Sequence, residues 1–277
     1  MASFADRFND TYRFGLGMGL HIDFFISFAF WGFLQINFYD MPNLQRFKME
    51  RKTELDFRNR LVSFVHGLVA LVLSGYAIYF FEYGCGDQNT LLQYWILALS
   101  GGYFTYDLVG MKLFGLLTFD MLVHHLLCIF GILITLYQGH DACHVVAGLF
   151  VAEVSNPAMH VRTMLRNLGL RYTKIHDTAE IIYFVMFFFG RVLIGHPVVY
   201  DTVMCESTPI FAKLVSLGIL AQSYQFLARM YTLLKNRIAE IKERKQKKIK
   251  MMWFTPLPAE QVAKLDYNLK KTKDGLP

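Results

Sequence analysis

Residues 119–138 read FDMLVHHLLCIFGILITLYQ. About 20 mainly apolar residues are enough for a helix to cross the hydrocarbon of a bilayer. This stretch nevertheless carries Asp120 and the adjacent pair His124 and His125. Ionisable side chains at membrane depth are costly and seldom sit there without partners or a purpose. Asp120 and His124, at i and i+4, share a helix face; His125 is turned about 100° away, so the two imidazoles bracket a wide sector. The stretch predicts one helix of a polytopic membrane protein with a polar interior.

The whole chain agrees. Of its 277 residues 54% are hydrophobic, 16% are aromatic and only 18% are charged, against roughly 25% charged in soluble domains. The first thirteen residues are polar and the first apolar run is too long for a signal h-region, so no cleavable signal is expected. Nothing reads as a nucleic-acid module, because the basic clusters flank apolar helices.

Seven spans are expected, at 14–39, 61–81, 91–113, 116–138, 142–165, 179–200 and 209–234. Together they form an all-α bundle. Lys and Arg set its orientation. Six lie between spans one and two (Arg46, Lys48, Arg51, Lys52, Arg58, Arg60), Lys112 lies in the three–four turn, and four (Arg162, Arg166, Arg171, Lys174) lie between five and six. Twelve more of the chain's 28 follow span seven. The alternate loops, 82–90, 139–141 and 201–208, have none, but contain Glu82, Asp87, Asp141, Asp201 and Glu206. Alternation of this kind implies an odd number of crossings, with the N-terminus outside and the C-terminus on the cytosolic or matrix side. Cys85 and Cys205 both fall on the expected outer face; a disulfide in an oxidising compartment and two free thiols are both open.

Each span has polar residues. Span one has the Gly-rich start GLGMG, suited to close helix approach, then His21 and Asp23. A short interfacial helix fits residues 40–60. Span two holds His66; span three holds Gly101, Gly102, Tyr106 and Asp107. In span five Glu153, Asn156 and His160 lie on one face, and Pro157 should kink the helix and free the carbonyl of Glu153. Span six holds Arg191 and His196; span seven holds Gln222, Gln225 and Arg229 at i, i+3 and i+7. In lipid these faces must turn toward one another or toward water, so spans two to seven are expected to ring a polar interior. Arg191 and Arg229 are expected to snorkel or to pair with a carboxylate such as Glu153 or Asp107. Cys128 and Cys143 read as lipid- or core-facing residues. The tail from Lys235 reads as a basic helix whose Lys242, Arg244, Lys245, Lys247, Lys248 and Lys250 suit anionic head groups; a solvated helix end or a protein-docking tail is equally open.

At these residues the chain resembles the TLC-domain family of multi-pass membrane proteins, which includes the translocating-chain-associating membrane proteins and the Lag1 ceramide synthases. The resemblance rests on Arg60, Ser63 and His66, on GYFTYDL at 102–108, and on His124–His125, all in this order. It covers roughly residues 60–237, leaving 1–59 as an N-terminal segment and 238–277 as a basic tail. The ESNP-like stretch from Glu153 is similar to the less-characterised TLCD branch. In ceramide synthases, a His-Asp-x-x-Asp stretch follows the double histidine; here the corresponding residues are Ala152 to Asn156, without the histidine. The resemblance implies the endoplasmic reticulum by default, although a mitochondrial inner membrane would show the same charge pattern.

Two functions follow as expectations. The first is a non-catalytic protein of lipid homeostasis, or a scaffold, that binds membrane lipid or acyl chains, alone or within a larger membrane complex. The alternative is an acyltransferase that takes acyl-CoA as substrate, with Asp120 orienting His124 and with His125 or Glu153 facing the substrate. No serine or cysteine nucleophile elbow is present, which favours direct transfer. No cofactor and no metal are expected: neighbouring histidines on a helix point apart and rarely share an ion. A proton-coupled transporter is disfavoured because no inverted repeat is visible.

Overall fold

The computed structural model describes residues 19–39, 47, 49–80 and 84–265. The expected glycine-rich entry at 15–18, residues 40–46, Lys48, Glu82 and the side chain of His21 lie outside them. The described residues are helical, with one isolated bridge between Gln88 and His140 and no strand. In chain order the helices are α1 Gly19–Tyr39, α2 Arg51–Phe80, α3 Leu91–Leu113, α4 Phe119–Gln138, α5 Ala142–Glu153, α6 Asn156–Asn167, α7 Lys174–Phe187, a π-helical segment Phe188–Ile194, α8 Gly195–Met204, α9 Ile210–Gln246 and α10 Ala259–Ala263.

Five stretches among the described residues are long and apolar enough to cross a membrane: α2, α4, α5 with α6, α7 through α8, and α9. The first and third expected spans are helices too, α1 and α3. Within α1 the apolar part is the shorter run Ile22–Phe38. α3 holds Gly101, Gly102, Ser100 and Asp107, and these face its neighbours.

Packing closes a ring. α2 touches α3, α3 touches α4, α4 touches α9, α9 touches α8, α8 touches α5, and α5 and α6 return to α2. α1 lies outside the ring against α3. Their approach depends on Gly102: a Cβ there would sit 2.3 Å from Ser27 Oγ and 2.8 Å from the Phe28 backbone nitrogen. The closeness lets Ser27 Oγ and Trp31 Nε1 both donate to the Leu99 carbonyl, at 2.9 and 3.1 Å. Large apolar side chains such as Phe25, Val72, Val185 and Leu214 face outward, as lipid requires. Tyr79, Tyr137 and Tyr200 are exposed near the ends of α2, α4 and α8, where aromatic rings sit well.

Several expected boundaries move, each for a local reason. α2 begins ten residues early and takes in part of the expected interfacial helix. Arg58 on Glu54 and Arg60 on Asp56 are i, i+4 pairs that extend it, and Arg58 also donates to the carbonyl of Phe38 on α1. The fifth span does not merely kink: α5 stops at Glu153 and α6 restarts at Asn156, with Pro157 in its first turn. The seventh span and the tail are one helix, α9, whose C-terminal part is held by buried ion pairs. Arg237 bonds Glu180 and Glu240, Arg162 donates to Glu180 at 2.9 Å, and Arg171 donates to Glu240 at 2.9 Å. Arg244, expected at the membrane surface, is buried and donates to Asp177 at 2.8 Å. It lies on the side of α9 that faces α7, two turns beyond Arg237. The chain beyond α9 then folds back, and the Lys174 N–H donates to the Met252 carbonyl at 2.9 Å.

On the opposite face, Cys85 and Cys205 form a disulfide with Cα atoms 5.4 Å apart. Beside it Asp141, buried and at φ 64°, accepts from the Gly86 N–H at 2.7 Å, from Ser207 at 2.8 Å and from His140 Nδ1 at 2.8 Å. Burial works against the charge, but the Gly86, Ser207 and His140 hydrogen bonds outweigh it and hold the carboxyl below its ordinary range. A group held below its unfolded value stabilises the fold above that value and loses this contribution as pH falls through the folded one. Asp141→Asn is expected to cost about 1–3 kcal/mol at neutral pH. Asp141→Ala should cost more, because alanine tolerates positive φ less well than asparagine. In thermal unfolding of the detergent-solubilised protein, the gap between wild type and Asp141→Asn should narrow as pH drops below about 4; a gap that is flat across that range would contradict the assignment.

Candidate functional site

The polar residues of the ring sort into a buried cluster and a slot beside it. The cluster starts at α3 and α4. His125 Nε2 lies 2.8 Å from Asp107 Oδ2, and His125 Nδ1 lies 2.8 Å from the Met121 carbonyl. A carbonyl only accepts, so Nδ1 carries a proton. Nε2 and the carboxylate share a second one, which makes the pair a buried ion pair or its neutral equivalent. Asn59 of α2 donates to the other Asp107 oxygen at 2.7 Å. Next to them, His66 stacks on Tyr103 with ring centroids 3.7 Å apart and lies 3.3 Å from Ser100 Oγ. Glu153 is buried, accepts from Asn156 Nδ2 at 2.9 Å and stands 3.9 Å from His66 Nδ1. His160 is buried on α6.

The break between α5 and α6 has a chemical consequence. It leaves the Ala152 carbonyl without its helical partner, and Arg191 donates to it at 3.3 Å and to Ser223 Oγ at 3.2 Å. Arg191 sits in the π-helical segment. The neighbouring Gly190 lets that segment close on α5, since a Cβ there would lie 3.0 Å from the Val151 carbonyl oxygen. A cation is thereby seated at a helix C-terminus, where the dipole favours it.

His124 takes a different role from the expected one. Asp120 does not orient it: the Asp120 carboxylate accepts from Arg229, half exposed midway along α9. The Asp120 backbone carbonyl instead accepts from Gln222 Nε2 at 2.8 Å, which turns Gln222 Oε1 toward His124 Nδ1 at 3.1 Å. An amide oxygen only accepts, so Nδ1 carries the His124 proton and Nε2 is the lone-pair nitrogen of the neutral ring. Cys128 Sγ, one turn along α4, lies 3.7 Å from it.

His124 and Cys128 line one end of a slot between α4, α5, α8 and α9, with a volume of about 120 Å³. A single water needs only roughly 10–15 Å³. Along α4 the lining runs from His124 to Gln138, about 21 Å at 1.5 Å per residue. Between these ends the walls are mostly apolar, with Leu127, Val145, Leu149 and Val215 among them; Asp141 and Thr208 stand at the Gln138 end.

The structure therefore brings together His66, Asp107, His125, Glu153, Asn156, His160, Arg191 and Gln222, and puts His124 beside them. Gln225 and Arg229 are exposed and do not join the interior. The buried sector of α9 runs through Gln222, Ser223, Met230 and Arg237, and Gln225 lies about 160° around the helix from Ser223. Neither Arg191 nor Arg229 makes its hydrogen bonds to Glu153 or Asp107. Asn59, Ser223 and the pairing of Cys128 with His124 were not anticipated. Only the last left a trace in the sequence, the i, i+4 spacing of residues 124 and 128.

These features define an integral membrane protein whose helices enclose a histidine-bearing polar core next to an apolar slot. Residues 56–234 match the TLC domain shared by TRAM, LAG1 and CLN8, and the chain belongs to the TLC-domain family. It is a membrane protein of the lipid-related kind that this domain marks.

Removing one partner of a buried hydrogen-bonded pair costs about 3–5 kcal/mol. Asp107→Ala and His125→Leu should each lower thermal stability, and the double variant should lose less than the sum of the two. The expected coupling is of order 0.5–3 kcal/mol; strict additivity would show that the pair does not exist.

Proposed function

We propose that this protein binds a membrane lipid by inserting one acyl chain into the slot, with the polar end of the chain beside His124. The observation that carries the reading is the slot itself: apolar walls about 21 Å long with the His124 imidazole at one end. The hydrocarbon core of a bilayer is about 30 Å thick, so the slot spans more than one leaflet's share and suits a long chain better than a small polar solute. The disulfide face is the oxidising side in this reading, and the basic helix ends face the cytosol or matrix. The exposed Lys242, Lys245, Lys247, Lys248 and Lys250 would add attraction to anionic head groups of about 1 kcal/mol each.

Acyl transfer is the second reading, favoured by the lone pair on His124 Nε2. His125 suits it less, because both of its nitrogens are already engaged. The absence of a histidine at Ala152 argues against a reaction of the ceramide-synthase type.

Gly148 lines the slot, and a Cβ there would meet nothing within 4 Å. Gly148→Phe should therefore fill the slot without disturbing its surroundings. Mass spectrometry of co-purified lipid should show a severalfold drop in acyl-chain ligand, with the elution profile of the protein unchanged. Equal lipid in both proteins would end this reading.

A further inference from the structure

We propose that Cys128 is an acyl acceptor: with His124 as its base, it takes an acyl group from an acyl thioester such as acyl-CoA and holds it as a protein thioester in the slot. The proposal rests on the acyl-chain reading above and adds a covalent step to it.

Three independent features meet at this sulfur. The His124 tautomer is fixed from a distance. The Asp120 carbonyl orients the Gln222 amide, that amide takes the Nδ1 proton, and the lone pair of Nε2 is left on the side of the Cys128 thiol, 3.7 Å away. A thiol becomes a competent nucleophile when an adjacent base removes its proton. The surroundings are apolar, so a free thiolate is disfavoured, and the proton must leave as the sulfur attacks. The second feature is Arg191, nine-tenths buried, whose Nε has no hydrogen-bond partner among the described residues. Its guanidinium holds the carbonyl of Ala152, itself a lining residue. Negative charge developing at this end of the slot has a cation within reach. The third is the slot, which continues from Cys128 past Gly131 to Gln138 and can take the chain while its carbonyl carbon stays at the sulfur.

The step balances without a redox partner. Cys128 Sγ attacks the thioester carbonyl carbon while its proton passes to His124 Nε2. The bond from the carbonyl carbon to the carrier sulfur breaks, and His124 returns the proton to the departing thiolate. One thioester is exchanged for another, so neither side is strongly favoured. A polyanionic carrier such as CoA would approach from the inner face, where most of the Lys and Arg lie and where Arg229 is half exposed.

The test incubates the purified full-length protein in detergent with alkyne-tagged palmitoyl-CoA and follows intact mass, peptide mapping and release by neutral hydroxylamine. One hydroxylamine-labile adduct on Cys128 is expected. It should be absent in Cys128→Ala, kept in Cys143→Ala and formed roughly 10²–10⁴-fold more slowly in His124→Gln, the usual contribution of a general base. Elution profile and thermal unfolding of Cys128→Ala serve as the folding controls. Label on Cys143 or on lysines, or an unchanged rate in His124→Gln, overturns the proposal. A wild-type protein that binds palmitate and stays unlabelled overturns the thioester but leaves the acyl-chain reading standing; one that neither binds nor is labelled overturns both.

Discussion

The pairing of His125 with Asp107 is the contact on which the remainder depends. Each group alone would be expensive in hydrocarbon. Together, with Asn59 and the Met121 carbonyl taking up the other polar atoms, they become a neutralised unit that can only form if α2, α3 and α4 meet face to face. The pair therefore acts as a registry constraint: helix arrangements in which α3 and α4 do not meet on these faces separate His125 from Asp107. Measured couplings between polar groups in membrane helices are modest, about 0.6 kcal/mol on average. The role of the network is thus better described as choosing one helix arrangement than as supplying most of the stability.

The same logic separates two environments within one ring. The side bounded by α2, α3 and α6 is polar and crowded, with His66 stacked on Tyr103 and Glu153 held by Asn156. The side bounded by α4, α5, α8 and α9 is apolar and open. His124 and Cys128 stand where the two meet. Arg191 stands at the same boundary because the α5–α6 break and the π-helical segment create a carbonyl for it to hold. Irregular backbone inside a membrane protein is tolerated where protein surrounds it, and here it seats a cation on the carbonyl of Ala152, which lines the slot.

Much of this was legible in the residues. The run at 119–138, the loop asymmetry of Lys and Arg, and Pro157 near Glu153 pointed to a helical membrane ring with an inward polar face and a kinked fifth span, which the structure instead breaks in two. Partner choice was not legible. Asp120 shares a face with His124, and spacing alone pairs them; Arg229, over a hundred residues away, takes the carboxylate instead. Arg244 reads as one of a run of surface charges, yet it is buried against Asp177 of α7 and Glu240 one turn back on α9. Gln225 is in register with Gln222 at i+3, but the centre of the α9 contact lies on the Ser223 side. Each case turns on which helix lies opposite, and periodicity within one helix does not carry that information.

The central claim is that the ring encloses a chain-shaped apolar space ending at His124. A density map of the protein in lipid nanodiscs tests it most directly. The account predicts elongated density between α4, α5, α8 and α9, with its polar end beside His124 Nε2 and Cys128. A slot collapsed onto its own side chains, or His125 and Glu153 turned outward into lipid, would contradict it.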